Sequence, residues 1–402
     1  MSLELEEAGF DYSVLCECRQ RLLASEDPER LLNQMLRRFQ ELKLLKARGK
    51  QRTDSTHVMA AIRLLNRLEM GGETLHPVLN EIAVLEPEWL KAGVVPGWFE
   101  RYGRSFNEYR LPLEEAQREE LALTIGQDGW ALLQAIYEDP RTPPSLRELK
   151  AVAILRRVWL QQYSLNDEVL CWRAAKNLPP CAIRIQSPYD TEARYSSKRS
   201  VDWVGYKIHL TATCDEDGPP LISHVETTAA TLPDVEVVEQ IHAGLTDLDC
   251  LPAHHIVATG YNSAGLFLDS QKDYGIDLIS PLRMGNSWQD TAANGFGLSH
   301  FQIDWERQMA ICPMGKESSS WTLCPKRQGY EVFYIKFRAS DWRVCAAREA
   351  CTRGQRRTIS IQTPALYELL KQKRAFQASA EFRELYRQRA GVEGTISQAT
   401  WV

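Results

Sequence analysis

Between residues 203 and 280 the chain switches between strand and helix patterns four times, and that alternation limits the folds open to it. Residues 203–214, Trp-Val-Gly-Tyr-Lys-Ile-His-Leu-Thr-Ala-Thr-Cys, alternate apolar and polar side chains, the two-residue period of a half-buried strand. Asp215-Glu216-Asp217-Gly218-Pro219-Pro220 reads as a turn, and 221–228, Leu-Ile-Ser-His-Val-Glu-Thr-Thr, as the returning strand of a hairpin. A helix is predicted from Pro233 to Leu248, followed by strands at 254–258 and 276–280 with a helix between them. Strand, strand, helix, strand, helix, strand predicts a mixed α/β sheet.

Upstream, Gly49-Lys50-Gln51-Arg52-Thr53-Asp54-Ser55-Thr56-His57-Val58 leads a basic run into a carboxylate and two hydroxyls. Two local readings are open. Asp54 can close a strand and point into a cleft. Alternatively Asp54, Ser55 or Thr56 can cap a helix carried by Val58, Ile62, Leu65 and Leu68. Before this stretch, residues 1–48 read as helical, with Asp27-Pro28 marking a break. Their end is basic: Arg37, Arg38, Lys43, Lys46 and Arg48 continue into Lys50 and Arg52, against Glu41. Such a run is either a solvated helix face or a track for phosphates.

From residue 56 to 182 the pattern is largely helical, at 57–70, 75–85, 114–138 and 145–163, which predicts a large insertion. Residues 295–360 return to strands and carry Cys312, Cys324, Cys345 and Cys351. Residues 364–398 are helical again. With 402 residues and 44% hydrophobic composition, the chain can bury a sizeable core. A net charge of -5 excludes a globally basic nucleic-acid binder, so any such function rests on local patches. Ten cysteines are too few for a disulfide scaffold at this length, and no long apolar run or signal segment is present. A reducing, cytoplasmic setting is therefore expected.

The sharpest local signal is Tyr386-Arg387-Gln388-Arg389-Ala390-Gly391-Val392-Glu393. On an α-helix, positions i, i+3 and i+7 share a face, so Tyr386, Arg389 and Glu393 are expected to project together. That face is either an exposed one with an Arg–Glu pair, or a metal-ligating carboxylate beside an arginine that holds phosphate.

With Asp54-Ser55-Thr56, Gly205-Tyr206-Lys207, Gly260-Tyr261 and Ser187-Pro-Tyr-Asp-Thr-Glu-Ala-Arg-Tyr-Ser196, this motif makes the chain resemble bacterial insertion-sequence DDE transposases. More narrowly it resembles the branch with a Tyr-Arg-Glu signature and a cysteine-containing insert, and the likeness covers essentially the whole chain. The resemblance implies an RNase H-like domain over 49–402, with a helical insertion at 56–182, a cysteine-containing β insert at 295–360 and a catalytic helix region at 364–402. Residues 1–48 would be the remnant of an N-terminal helical region. It implies two Mg²⁺ ions held by three carboxylates, double-stranded DNA partners at terminal inverted repeats and target, and a homodimer when active on the bacterial nucleoid. Two metals about 4 Å apart can activate the attacking oxygen and stabilise the leaving one. Asp54 and Glu393 would be two of the carboxylates; Arg389, Tyr386, Lys50, Arg52 and Lys207 would face DNA. Asp190 is the alternative first carboxylate, and its local reading is a surface pair with Arg194.

The sequence departs from the family pattern where the second Asp is expected: Ala258 stands two residues before Gly260. A methyl group ligates nothing, so this copy is expected to be inactive. The family's helical region before Phe10 and the continuation beyond Glu393 are also missing, with Thr400 where a Lys often stands, which reads as truncation at both ends. In the insert, Trp342 occupies the place of one cysteine. A zinc site of Cys312, Cys324, Cys345 and Cys351 remains open, against four packed or free thiols. The runner-up function is a non-catalytic DNA-binding remnant; a third is another RNase H-like nuclease.

Overall fold

The computed structural model describes residues 11–25, 29–62, 65–93, 95, 97–106, 111–198, 200–282, 287–325 and 331–400. Phe10 and the expected break at Asp27-Pro28 lie outside the described residues. Helices α1 (Tyr12–Leu23) and α2 (Arg30–Glu41) lead into strand β1 (Lys50–Met59). There follow α3 (Arg67–Leu85), α4 (Pro87–Gly93), α5 (Trp98–Tyr102), α6 (Glu115–Glu138), α7 (Ser145–Glu148) and α8 (Lys150–Gln162), then a hairpin of β2 (Tyr163–Asn166) and β3 (Val169–Trp172). Strands β4 (Arg194–Lys198), β5 (Val201–Thr213) and β6 (Ile222–Ala229) precede α9 (Val238–Asp247), β7 (His254–Val257), α10 (Ala264–Tyr274) and β8 (Asp277–Ile279). The last part holds α11 (Trp288–Thr291), β9 (Gln302–Asp304), β10 (Met309–Ile311), β11 (Ser320–Pro325), β12 (Glu331–Lys336), α12 (Ala339–Arg343), α13 (Arg348–Cys351) and β13 (Thr358–Gln362). It closes with α14 (Pro364–Gln377), α15 (Ala380–Arg387) and α16 (Gly391–Thr400).

The chain forms a mixed α/β fold that divides into two compact units. One comprises residues 1–54, 209–226 and 233–402, and the other 55–208 and 227–232. In the first unit the sheet order is β5-β1-β7-β8, with β6 also paired to β5. Strands β1, β7 and β8 run parallel, as βαβ crossovers through α9 and α10 require. The register sets Lys50 beside His254 and Thr53 beside Val257. Cys214 N–H donates to the Lys50 carbonyl while Thr211 meets Thr53, so β5 runs antiparallel to β1. The end of the chain is fixed to this sheet by apolar packing: Phe382 of α15 is buried with Ile256 of β7 and Ile279 of β8, and Phe376, Leu385 and Tyr386 pack around them. Burying each such side chain contributes about 1.5–3 kcal/mol. A smaller three-stranded sheet, β11-β12-β13, encloses Ile335, Phe337, Ile359 and Ile361 with Phe301 and Ala310.

The second unit is a helical core of α3, α6 and α8 around Leu75, Ile82, Ile125, Ile136 and Leu155. Trp159 packs so tightly across α6 that a Cβ on Gly129 would overlap its indole. Asp128 of α6 draws α5 in, accepting from Trp98 Nε1 at 2.8 Å, Arg101 Nε at 2.9 Å and Tyr102 Oη at 2.7 Å.

Three sequence expectations change here. Residues 57–59 are strand, and the helix starts at Arg67, where Asn66 and Glu69 form a capping box. The breaks expected between residues 70 and 75 do not occur: α3 runs through Pro77, because Leu75, Val78 and Ile82 are buried along it. Tyr163 is not the end of a helix but opens the β2–β3 hairpin, whose turn residues Asp167 and Glu168 both have positive φ. Among the described residues no helix is long and apolar enough to cross a membrane.

Candidate active site

Successive residues of a strand point to opposite faces, and β1 uses both. Gln51 and Thr53 face one way. Gln51 donates to the Cys250 carbonyl at 2.7 Å and accepts from Ser223 at 2.9 Å. Thr53 Oγ1 meets Thr211 Oγ1 at 2.7 Å and His255 Nε2 at 2.6 Å, and His255 Nδ1 meets His242 Nε2 of α9 at 2.9 Å. Burial lowers His242 to about 4 and drives His255 well below its ordinary value. Both rings are held neutral. This buried polar chain fixes the strand one residue before Asp54.

Arg52 and Asp54 face the other way, toward the end of α15 and the start of α16. Arg52 is buried, and its Nη1 donates to the Gln388 carbonyl at 2.6 Å. Its guanidinium lies across Gly391, where any Cβ would collide with it. Asp54 is bound by Arg389 Nη1, and Arg389 Nη2 donates to Glu393 Oε1 at 2.6 Å. One guanidinium therefore spans both carboxylates. Asp54 and Arg389 are largely buried, with side chains 18% and 19% exposed, whereas Glu393 is 59% exposed. Burial opposes the Arg389 charge, but Glu393, Asp54 and Tyr386 together raise its pKa. Tyr386 stacks on Phe382 with 7° between ring planes, and the Arg389 guanidinium carbon lies 5.8 Å from its centroid. Burial is the largest cause raising the Tyr386 pKa. A 3-10 turn, Gln388–Ala390, separates α15 from α16, so Tyr386, Arg389 and Glu393 do not lie along one uninterrupted α-helix.

Thr53 is registered beside Val257, so Asp54 and Ala258 each come one residue after the last paired positions of neighbouring parallel strands; β7 ends at Val257, whereas β1 continues past Asp54 to Met59, so Asp54 does not close its strand. Strands in that relation lie about 4.8 Å apart. The Ala258 carbonyl accepts from Tyr261 N–H at 3.0 Å and from Ser280 Oγ at 3.2 Å, and the Tyr261 hydroxyl meets His209 Nδ1 at 2.7 Å. The turn that carries Gly260-Tyr261 is thus anchored from both sides.

Several basic candidates are engaged by the protein itself. Lys50 lies 3.4 Å from Glu216, Lys46 pairs with Asp217, and Arg48 donates to the carbonyls of Tyr274, at 3.0 Å, and Gly275. Lys207 donates to the Leu232 carbonyl at 2.7 Å. Asp190 belongs to the second unit. It accepts from the Glu192 and Ala193 amides, at 3.1 and 3.0 Å, and from the Tyr206 hydroxyl at 2.7 Å, while Arg194 donates to the carbonyls of Ala182, Thr191 and Ala193.

The cysteines of the insert are free thiols. Burial raises the Cys351 thiol, with Cys312 and Cys345 near enough to add to the effect. Trp342 is buried under Arg348, whose guanidinium carbon is 3.7 Å from the indole centroid. Among the described residues, no three or more His, Cys, Asp or Glu side chains gather as a metal site requires.

Residues 311–401 match the family model of the transposase DDE domain. The match supports an insertion-sequence DDE transposase. It spans the cysteine-containing part of the insert and reaches Tyr386, Arg389 and Glu393; Asp54 and Ala258 lie outside it. Comparison with curated proteins gave no match, and neither did comparison with solved structures. DDE transposases use divalent metal, and the donors here can be tested against that need. Two carboxylates are present, both bound to a guanidinium, and the third position offers a methyl group. These residues do not fit a two-metal site.

Of the residues singled out in the sequence, the fold brings Asp54, Arg389 and Glu393 together; the supporting polar chain of Thr53, Thr211, His242 and His255 was not among them. The available signal was His254-His255 within an otherwise apolar strand.

Proposed function

We propose that this chain is a DNA transposase by descent, built on an RNase H-like domain, and that this copy is catalytically dead because Ala258 replaces the second aspartate. One observation supports the reading: Asp54 and Ala258 each follow the last registered pair of β1 and β7, Thr53 and Val257, and Arg389 links Asp54 to Glu393. The strand order adds support, since the first and fourth strands of the sheet are neighbours with the C-terminal helices packed against them. Asp54 is favoured over Asp190 as the first carboxylate, because Asp54 shares a guanidinium with Glu393 while Asp190 binds Tyr206 and loop amides.

In an active relative the three carboxylates would hold divalent ions at element ends, and the protein would act on double-stranded DNA as a homodimer. Losing one anionic ligand removes much of the field that holds a hard cation. The test is Mg²⁺-dependent cleavage of the inverted repeats flanking the gene, comparing the natural chain with Ala258→Asp. Cleavage by Ala258→Asp alone is expected. Equal activity of the two forms refutes the reading. Salt-dependent binding of the same repeats by the uncleaving chain would mark it as a DNA-binding remnant.

A further inference from the structure

We propose that a cavity in the helical unit is an oxyanion site, built to hold one phosphate group between Arg67 and Arg184. The cavity measures about 150 Å³ and is lined from the start of α3, the end of α8 and the segment joining β3 to β4. That volume takes one molecule of benzene's size, and a phosphate group is no larger. Met70 and Ile185, both buried, supply apolar wall. Among the described residues, Arg67, Arg184, Gln162 and Gln186 are the polar ones that line it.

The cations are set for an anion. Arg67 Nε donates to Gln162 Oε1 and its Nη2 to the Arg173 carbonyl, both at 2.9 Å, and its guanidinium carbon lies 4.3 Å from the Trp172 ring centroid. These contacts hold the fork rigidly and do not use Nη1. Arg184 Nη2 donates to Cys181 Sγ at 3.3 Å, a weak acceptor. Among the described residues, the hydrogen bonds of the two guanidiniums go to an amide, a carbonyl and a thiol, and none goes to a carboxylate. Burial is the largest cause lowering the Arg67 pKa, and the nearby Arg184 charge lowers it further. Two like charges against apolar wall repel each other unless a negative charge lies between them, and that wall strengthens the attraction to an anion. A planar guanidinium also matches the spacing of phosphate oxygens. The third donor is Gln186 Nε2, which is buried and donates to no acceptor. Buried donors nearly always have a partner, and a phosphate oxygen would be one. Between the two ligating side chains, Ile185 N–H donates to Gln161 Oε1 at 2.9 Å, which pins the segment to α8.

Titration of the full chain with inorganic phosphate at constant ionic strength, with chloride as the control, tests this by calorimetry and thermal unfolding. The natural chain is expected to bind one phosphate and to unfold at a higher temperature with it. Arg184→Gln should weaken that affinity at least about tenfold, because it removes a hydrogen bond between charged groups. Arg157→Gln, exposed on α8 and outside the cavity, should leave it unchanged. Gln186→Glu places a carboxylate beside the guanidiniums, and should raise the unfolding temperature in phosphate-free buffer while abolishing the response to phosphate. Should Arg184→Gln fail to fold, Arg184→Lys keeps the charge without the planar fork and is expected to bind phosphate several-fold more weakly. A DNA duplex separates the two sources of such a group. If the ligand is a backbone phosphodiester, the duplex displaces inorganic phosphate, and Arg184→Gln lowers the salt slope of DNA binding by about one. If it is a free phosphate, the duplex leaves phosphate binding intact. Absence of saturable phosphate binding by the folded natural chain overturns the proposal. Equal affinity of the natural chain and the folded Arg184 variant overturns it too, as does an equal loss in Arg184→Gln and Arg157→Gln. None of these results depends on the roles of positions 54, 258 and 393.

Discussion

Lowering the pH should loosen the floor of the candidate site before it affects the helical unit. His242 and His255 are buried, and each is neutral in the fold because burial disfavours its charged form; His242 and His224 lower His255 further. In the unfolded chain both have a pKa near 6.5. A folded pKa below the unfolded one means that the unfolded state binds more protons between the two values. Stability is therefore full above about 6.5 and is lost as pH falls through that window. For His242 the interval from 6.5 to about 4, at ~1.4 kcal/mol per pH unit, amounts to about 3 kcal/mol. His255 acts in the same direction. The loss is local, since His255 bonds Thr53 at 2.6 Å and Thr53 precedes Asp54. Hydrogen exchange of a peptide covering residues 250–260, measured at successive pH values and corrected for intrinsic rates, should show the opening free energy falling from pH 6.5 toward 4. His242→Gln should lower protection at pH 7.5 but flatten that dependence by about 1.4 kcal/mol per pH unit near pH 5. Parallel pH profiles for the natural chain and His242→Gln would refute the reasoning.

Other perturbations follow from the same geometry. Gly391→Ala pushes a methyl into the Arg52 guanidinium and should cost about 1–3 kcal/mol in urea unfolding; an unchanged midpoint would show that Arg52 yields freely. Thr53→Val leaves Thr211 and His255 short of a partner and should cost about 1–3 kcal/mol, read from the same exchange peptide. In the helical unit, Gly129→Ala meets the Trp159 indole and should cost about 1–3 kcal/mol while leaving exchange at residues 250–260 unchanged. Ala258→Asp should gain Mg²⁺-dependent cleavage of the flanking repeats, as stated above.

Much of the sheet could be read directly from the chain. The alternation at 203–214 and the short apolar runs near 254 and 276 appear as β5, β7 and β8, since burial on a sheet face forces a two-residue period or an apolar run. Helix α6 likewise follows its expected span of 114–138. Asp54-Ser55-Thr56 was different. These residues cap helices and close strands equally well; instead they lie inside β1, which pairs with β7 over residues 50–53, two hundred residues away in sequence, and continues to Met59. The gap expected between the helical segments 57–70 and 75–85 was another such case: the burial of Leu68, Met70, Leu75 and Val78 carries α3 across it without interruption.

The sequence alone determined the chemistry available to the site: a carboxylate at 54, a methyl at 258, and an arginine and a carboxylate four residues apart at 389 and 393. It also determined the mixed α/β class, because period is a local property of the chain. Only the tertiary structure decided who partners whom. Lys46, Arg48, Lys50 and Arg52 look like a DNA-facing run in sequence, yet they bind Asp217, the Tyr274 and Gly275 carbonyls, Glu216 and the Gln388 carbonyl. A charge does not specify its counter-charge along the chain. Strand register and helix docking bring Arg389 onto Asp54, because hydrogen bonds and ion pairs act over a few ångströms of space and take no account of the three hundred residues between.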